Sequence, residues 1–177
     1  DQVYGRSVYR TEGEVKLRPL NVYGETKYEG ERLVLRDRPE NLVIRTNIFG
    51  SSVKPGKVSS VEWIRKGLTE SKPLNLFTNY VFSTMYTESL GEVLIRLVGK
   101  NSDGIYNVAA QPACSKFEFG HALAREMGEN PELILPTRLT QNKGRVIRAE
   151  NISMPVDKLQ KSGVEIPSLP EEIRRYL

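Results

Sequence analysis

Tyr23 and Lys27 stand four residues apart in a proline-free stretch that runs from Val22 to about Asp37. Side chains at i and i+4 of a helix lie on one face, so the phenol and the ammonium can reach a common ligand. An ammonium near a phenol favours the phenolate and suits the phenol to proton transfer near neutral pH. The pair therefore predicts a general acid or base. With 8 tyrosines in the chain the spacing also arises by chance, so its surroundings decide its meaning.

The elements that must position this pair alternate between helix and strand. The Tyr23 helix is followed by a β-branched run over residues 41–46, which predicts a buried strand that ends in a loop at Asn47-Ile-Phe-Gly50. Helical spacing and three S-x-x-E capping boxes predict further helices after Ser59, Ser115 and Ser168, and apolar spacing predicts one more over residues 87–100. Short strands are predicted at 74–82, 104–108 and 133–135, and one helical turn at 157–162.

This order of elements is typical of an α/β protein whose last third is more α+β than doubly wound. An α/β fold that binds a nucleotide normally opens with a strand, a glycine-rich turn and a helix. Neither G-x-G-x-x-G nor G-x-x-x-x-G-K occurs in this sequence. We therefore expect the phosphate cradle of the fold to be missing from the chain.

The composition excludes several classes of protein. The 26 basic and 22 acidic residues give a net charge of +4 and are mixed along all 177 residues, which does not favour a nucleic-acid binder. Cys114 is the only cysteine, so neither an internal disulfide nor a thiolate metal site is expected, and a reducing compartment is favoured. No apolar run is long enough to span a membrane. The sequence predicts a cytoplasmic protein without a metal, a membrane or a nucleic-acid partner.

The context of the pair, Asn21-Val-Tyr-Gly-Glu-Thr-Lys-Tyr-Glu-Gly-Glu31, resembles the extended short-chain dehydrogenases/reductases, most closely their dTDP-4-dehydrorhamnose reductase branch. Further segments resemble that family in the correct order. Asp1-Gln2-Val3-Tyr4-Gly5 is similar to the end of one of its strands, and Val43-Ile-Arg-Thr46 with Phe49-Gly50 to the next strand and turn. Residues 104–109, 115–119 and 148–159 are similar to its late strand, helix and closing segment.

The resemblance implies an α/β fold made of the C-terminal part of a Rossmann-like parallel sheet plus a smaller α+β substrate-binding lobe. Residues 1–50 would be the remnant of the Rossmann-like domain, and residues 51–177 would form mainly the lobe, interleaved with the sheet. The family's first portion, with its glycine-rich turn, has no counterpart here, and its catalytic Ser/Thr would fall just before Asp1. We therefore expect the isolated chain to be inactive.

The activity implied by the resemblance is that of an NAD(P)-dependent reductase, or an epimerase, of a nucleotide-linked 4-keto sugar in dTDP-rhamnose biosynthesis. Tyr23 would donate the proton to the developing alkoxide, and Lys27 would hold Tyr23 and the ribose of NADP or NAD. Ile48 would contact the cofactor, and the substrate-binding residues would be Gln2, Asn47 and Arg148. Arg148 could equally be a solvated charge.

The sequence also bears on three further points: dehydration, assembly and an alternative function. Gln2 stands where related dehydratases carry an acid, and since an amide cannot act as a base, dehydration is disfavoured. We expect a homodimer or association with the missing amino-terminal portion. The alternative function is that of a non-catalytic regulatory or binding subunit of the same family.

Overall fold

The fold was obtained as a computed structural model, which describes residues 2–5, 11–13, 17–140 and 146–177. Single turns of 3-10 helix lie at Gln2–Tyr4 and Pro131–Leu133. The helices are α1 (Val22–Asp37), α2 (Ser60–Thr69), α3 (Thr87–Gly99), α4 (Lys116–Met127), α5 (Asp157–Lys161) and α6 (Leu169–Tyr176). The strands are β1 (Leu42–Arg45), β2 (Ile48–Phe49), β3 (Leu74–Phe77), β4 (Val81–Phe82), β5 (Met85–Tyr86), β6 (Gly104–Asn107), β7 (Cys114–Ser115), β8 (Ile134–Thr137) and β9 (Asn151–Ile152).

The part of the fold that holds the Tyr23 helix is built on parallel strands. Strand β1 pairs with β6 in parallel, in register from Leu42 opposite Gly104 to Arg45 opposite Asn107. Helix α1 precedes β1 and helix α3 precedes β6, as in a chain that winds along a parallel sheet. Beyond β1, the short strand β2 pairs in parallel with β5. The expected α/β class, with part of a Rossmann-like parallel sheet, is confirmed.

The rest of the chain forms small mixed sheets covered by helices. Strands β3 and β8 pair in parallel, and β4 lies between β7, which is antiparallel to it, and β9, which is parallel. Helix α4 contacts β3, β7, β8 and α6. This arrangement is the predicted α+β part of the fold.

Two hydrophobic cores underlie these regions. One core joins the amino-terminal turn and β6 to helices α3 and α5, and its buried members include Tyr4, Val93, Leu97, Tyr106 and Leu159. The other core lies under α2, α4 and α6 and includes Phe49, Leu68, Phe82, Phe119 and Ile173. The first core takes residues from 85–108 and from 154–164, and residues between these two ranges belong to the second core. The two regions therefore alternate along the chain.

The predicted helix starts are confirmed, and side-chain caps explain them. Ser59, Ser115 and Ser168 each form a complete capping box, with Glu62, Glu118 and Glu171 as the third helical residues. Helix α1 begins after Asn21, whose side chain accepts a hydrogen bond from the backbone N–H of Gly24. These caps satisfy amide groups that would otherwise lack partners at the helix ends.

Two predicted strands differ from the structure. Residues Gln2–Tyr4, expected to end a strand, form a 3-10 turn. Val3 and Tyr4 are both buried, whereas neighbours in a strand would point to opposite faces. The strand predicted at 133–135 begins at Ile134 and continues to Thr137, because Pro131 and the Asn130 cap form a 3-10 turn first.

Within the described residues, no helix combines the length and apolar character needed to cross a membrane. The same residues contain no group of three or more His, Cys, Asp or Glu side chains arranged to hold a metal ion.

Candidate functional site

Tyr23 and Lys27 lie in the first two turns of α1. The Lys27 Nζ is 5.6 Å from the centre of the Tyr23 ring, so the i, i+4 spacing brings the phenol and the ammonium together on one face. Tyr23 is 58% exposed. Both groups are therefore within reach of a ligand that approaches the start of this helix.

The first turn of α1 also lies against Gln2. A Cβ on Gly24 would come within 2.7 Å of the Gln2 carbonyl oxygen and 3.0 Å of the Pro19 Cβ. Only glycine allows the helix to approach the amino-terminal turn this closely. Gln2, predicted to bind substrate, is thus placed beside the helical turn that carries Tyr23.

Asn21 joins this turn to the segment that carries Arg148. Its Oδ1 accepts from the Gly24 N–H at 2.9 Å, while its Nδ2 donates to the carbonyl of Ile147 at 2.9 Å. Arg148 itself is exposed, and its positive charge acts on the phenol of Tyr80. Burial raises the pKa of Tyr80, and the charge of Arg148 opposes that rise. The Asn21 side chain therefore both caps α1 and holds the segment that carries Arg148 next to this helix.

Asn47 and Ile48 follow the carboxyl end of β1. In a chain that winds along a parallel sheet, the helix before a strand begins at the edge where that strand ends, and ligands bind at this edge. The Asn47 carbonyl accepts hydrogen bonds from the Met85 N–H at 3.0 Å and the Thr84 hydroxyl at 3.3 Å. Its side-chain Nδ2 is buried and has no hydrogen-bond partner among the described residues, while Ile48 is 55% exposed.

Sequence reasoning missed a buried polar network that fixes α1 on the sheet. The Arg45 guanidinium binds both carboxylate oxygens of Glu31 and donates to the Tyr4 hydroxyl at 2.8 Å. The Tyr4 hydroxyl in turn donates to Asn107 Oδ1 at 2.6 Å, and burial raises the pKa of Tyr4. Glu31 lies one helical turn after Lys27. An arginine in an otherwise apolar strand is a sequence feature that indicates a buried charge in need of a partner, but it does not say which acid that partner is.

A cleft of about 320 Å³ opens beside Ile48 and extends into the second core. We call it the Lys116 cleft; it is lined by Ile48, Phe49, Gly50, Ser51, Ser59, Ser60, Val61, Ile64, Phe82, Thr87, Lys116 and Phe119. Gly50 is needed at its mouth, because a Cβ there would collide with the Thr87 hydroxyl. The cleft extends inward from the edge where Asn47 and Ile48 lie.

Lys116 is the cation of this cleft, and no motif in the sequence marks it. Its Nζ lies 3.7 Å from the centre of the Phe82 ring, a cation–π contact. Burial lowers the pKa of the Lys116 ammonium to about 8. The amine therefore remains largely protonated at neutral pH, although burial disfavours its charged form.

Chemically, the structure places a phenol and an ammonium at one end of α1. Gln2 and the Ile147–Arg148 segment lie beside its first turn, and Asn47 and Ile48 lie at the same edge of the sheet. Such an arrangement can position a polar ligand and transfer a proton to or from it.

Comparisons with known proteins identify relatives of this chain. It is 27% identical over 163 residues to the spore coat polysaccharide biosynthesis protein SpsK of Bacillus subtilis (strain 168), covering 91% of this chain and 55% of the relative. It is 30% identical over 140 residues to the dTDP-4-dehydrorhamnose reductase of Mycolicibacterium smegmatis, covering 77% of this chain and 42% of that protein. The chain thus spans about half the length of the curated relatives it matches.

The fold agrees with these relatives. The crystal structure of dTDP-4-dehydrorhamnose reductase from Bacillus anthracis strain Ames in complex with NADP superposes with a TM-score of 0.81 at 22% identity, covering 98% of this chain and 60% of that one. These likenesses confirm the resemblance to the dTDP-4-dehydrorhamnose reductase branch. The model of the family described as RmlD substrate binding domain matches residues 4–177, so this chain belongs to that family.

Proposed function

We propose that this chain is part of an NAD(P)-dependent reductase, or epimerase, that acts on a nucleotide-linked 4-keto sugar. The observation that carries the proposal is the meeting of three segments at the first turn of α1. Gly24, which follows Tyr23, lies against Gln2. Asn21, two residues before Tyr23, donates a hydrogen bond to the carbonyl of Ile147, which precedes Arg148. The M. smegmatis and B. anthracis relatives, named as dTDP-4-dehydrorhamnose reductases, supply the class of substrate.

The residues present fit a nicotinamide cofactor. Tyr23 and Lys27 offer a hydroxyl and an ammonium on one exposed face, and the buried Nδ2 of Asn47 has no partner in the part of the chain that the structure describes. The B. anthracis relative was crystallised with NADP, which favours NADP or NAD here. When bound, the cofactor supplies or accepts the hydride.

The resemblance to the dTDP-4-dehydrorhamnose reductases suggests the roles of the protein groups, and their chemistry suits those roles. Tyr23 donates a proton to the alkoxide oxygen that forms when the sugar carbonyl is reduced. Lys27 holds the Tyr23 phenol and binds the ribose hydroxyls of the cofactor, and the backbone of Ile48 contacts the nicotinamide. Gln2 and Asn47 bind the sugar, and Arg148 binds the diphosphate through charge-assisted hydrogen bonds.

We further propose that residues 1–50 belong to the cofactor-binding side of the site and residues 51–177 mainly to the substrate-binding lobe, interleaved with the sheet. Helix α1 exposes Val22, Tyr23, Leu33 and Val34, which suits this helix to pack against further protein. That protein is a second copy of the chain or a dinucleotide-binding part.

The test is an NADPH-oxidation assay of the natural protein at its full length with dTDP-4-dehydrorhamnose as substrate. Tyr23→Phe should lower the turnover rate by about 10²- to 10⁴-fold while NADPH affinity stays within about threefold, because only the proton donor is lost. Tyr28→Phe is the matched control, since Tyr28 lies on the same helix but packs against the first core. A rate within threefold for Tyr23→Phe would instead favour a non-catalytic binding subunit.

A further inference from the structure

The ammonium of Lys116 lacks an acidic partner. Among the described residues no carboxylate lies within 4.0 Å of its Nζ, which instead lies 3.7 Å from the centre of the Phe82 ring and 6.0 Å from that of Phe119. The nearest acid in sequence, Glu118, accepts instead from the Ser115 N–H at 2.7 Å and the Ser115 hydroxyl at 2.8 Å. A cation thus lines the Lys116 cleft next to aromatic rings and, among the described residues, without a carboxylate in contact.

This placement works against stability in two ways. Lys116 is the first residue of α4, where the helix dipole favours a negative charge and disfavours a positive one. Burial further penalises the charged form, as the lowered pKa shows. The helix dipole and burial therefore both disfavour the charge of Lys116, which lines a cleft. Such a residue is expected at a binding site, where an anionic ligand would stabilise the charge.

The cleft also contains neutral hydrogen-bond donors. Ser60 and Thr87, the first residues of α2 and α3, line it together with Lys116, so two hydroxyl groups that can donate to an anion line the same cleft as the ammonium. The carbonyl of Tyr80 accepts from the Lys116 N–H at 3.1 Å, and Arg148 acts on the Tyr80 phenol. A second cation therefore lies in the same neighbourhood.

We propose that Lys116 is an anion-binding residue of the cleft and contacts the diphosphate of a nucleotide-linked ligand. The sugar of that ligand would extend toward Ile48, which lines the cleft, and its neighbour Asn47. The identity of the ligand rests on the proposed function, whereas the preference for an anion rests on the cleft itself.

The experiment is an NMR titration of the ¹⁵N-labelled 177-residue chain with inorganic pyrophosphate, dTDP or thymidine. Lys116→Met keeps an unbranched apolar stem and removes the charge, Lys116→Arg keeps the charge, and Lys66→Met is the matched control. Lys66 lies on α2 with its side chain 71% exposed. Thermal unfolding of each variant shows whether it is folded.

In the unmodified chain, pyrophosphate and dTDP should saturably shift the amide signals of Ser60, Lys116 and Phe117, and thymidine should not. Lys116→Met should weaken both phosphate ligands at least about tenfold, Lys116→Arg by less than about threefold, and Lys66→Met by less than about twofold. A folded Lys116→Met chain with unchanged affinity, shifts confined to another surface, or no binding of either ligand would overturn the proposal.

The same titration with Tyr23→Phe separates this inference from the proposed function. Pyrophosphate affinity should be unchanged in that variant, because the phenol is assigned only to proton transfer. If the reductase assay fails while binding through Lys116 persists, the proposed reaction is wrong and the anion site stands. If the assay succeeds and Lys116→Met binds normally, only the anion site is wrong.

Discussion

The guanidinium of Arg45 and the carboxylate of Glu31 form a two-pronged ion pair between β1 and α1. The Nε–Oε1 and Nη2–Oε2 distances are 3.0 and 2.7 Å, and the two side chains are only 2% and 11% exposed. Since Glu31 lies on the helix that carries Tyr23 and Lys27, this pair sets the position of the proposed catalytic helix against the sheet.

Replacing Glu31 with glutamine should destabilise the chain by about 3 kcal/mol, because it leaves the buried charge of Arg45 without its partner. Urea denaturation followed by circular dichroism measures the free energy of unfolding. Glu29→Gln is the matched control, since Glu29 pairs with Arg32 on the surface of the same helix and should cost under about 0.5 kcal/mol. Equal small losses in the two variants would show that the buried pair does not hold the helix.

Glu172 of α6 caps a different helix. Its buried carboxylate accepts hydrogen bonds of 2.7 Å from the Tyr86 N–H and the Ser89 hydroxyl, where α3 begins without a side-chain cap of its own. Glu172→Gln should therefore lower the free energy of unfolding by about 1–3 kcal/mol.

Thermal unfolding of Glu172→Gln and amide exchange at the start of α3 measure this effect. Glu92→Gln serves as the control, because Glu92 forms an exposed pair with Arg175 and should change stability little. Unchanged exchange at Ser89 in Glu172→Gln would contradict the capping role.

Lys116→Met should raise the stability of the ligand-free chain at pH 7. The folded state lowers the pKa of Lys116 from its usual 10.5 to about 8, so the unfolded chain holds this proton more tightly. The free energy of unfolding therefore rises with pH between about pH 8 and 10.5. Below pH 8 the buried charge of Lys116 lowers this free energy by on the order of 1–3 kcal/mol.

The measurement is the unfolding free energy of the unmodified chain and of Lys116→Met at pH 7 and at pH 10. The advantage of the variant should shrink at the higher pH, while Lys66→Met should show no advantage at either. A stability difference that does not depend on pH would mean that burial of the ammonium carries no cost.

The helices of this fold could be predicted because local rules govern them. Ser59, Ser115 and Ser168 each carry their glutamate three residues later, and a box of this kind closes with no help from the rest of the chain. Strand β1 was also predictable from local sequence, because Val43 and Ile44 are β-branched and apolar and the preceding helix ends at Asp37.

The pairings between distant residues could not be predicted. Glu31 and Arg45, or Glu172 and Tyr86, meet only after the chain has folded, and no local pattern joins them. The two-residue strands such as β2 and β5 likewise exist only because a partner strand arrives. For the site, spacing predicted that Tyr23 and Lys27 share a face, but the cation of the cleft stayed hidden because Lys116 has the sequence context of an ordinary helix start.

Asn47→Ala separates a binding role from a structural one at the edge of the sheet. The structure shows no hydrogen bond from the buried Nδ2 of Asn47, while the bonds from Met85 and Thr84 reach its backbone carbonyl and survive the substitution. Removing an unsatisfied buried donor should leave the free energy of unfolding unchanged or raise it by up to about 1 kcal/mol. If the amide binds ligand, turnover of the 4-keto nucleotide sugar by the full-length natural protein should fall at least about tenfold. Asn75→Ala, at an exposed position of β3, is the control and should change neither quantity. A loss of stability above about 1.5 kcal/mol, with activity that follows the folded fraction, would make Asn47 a structural residue.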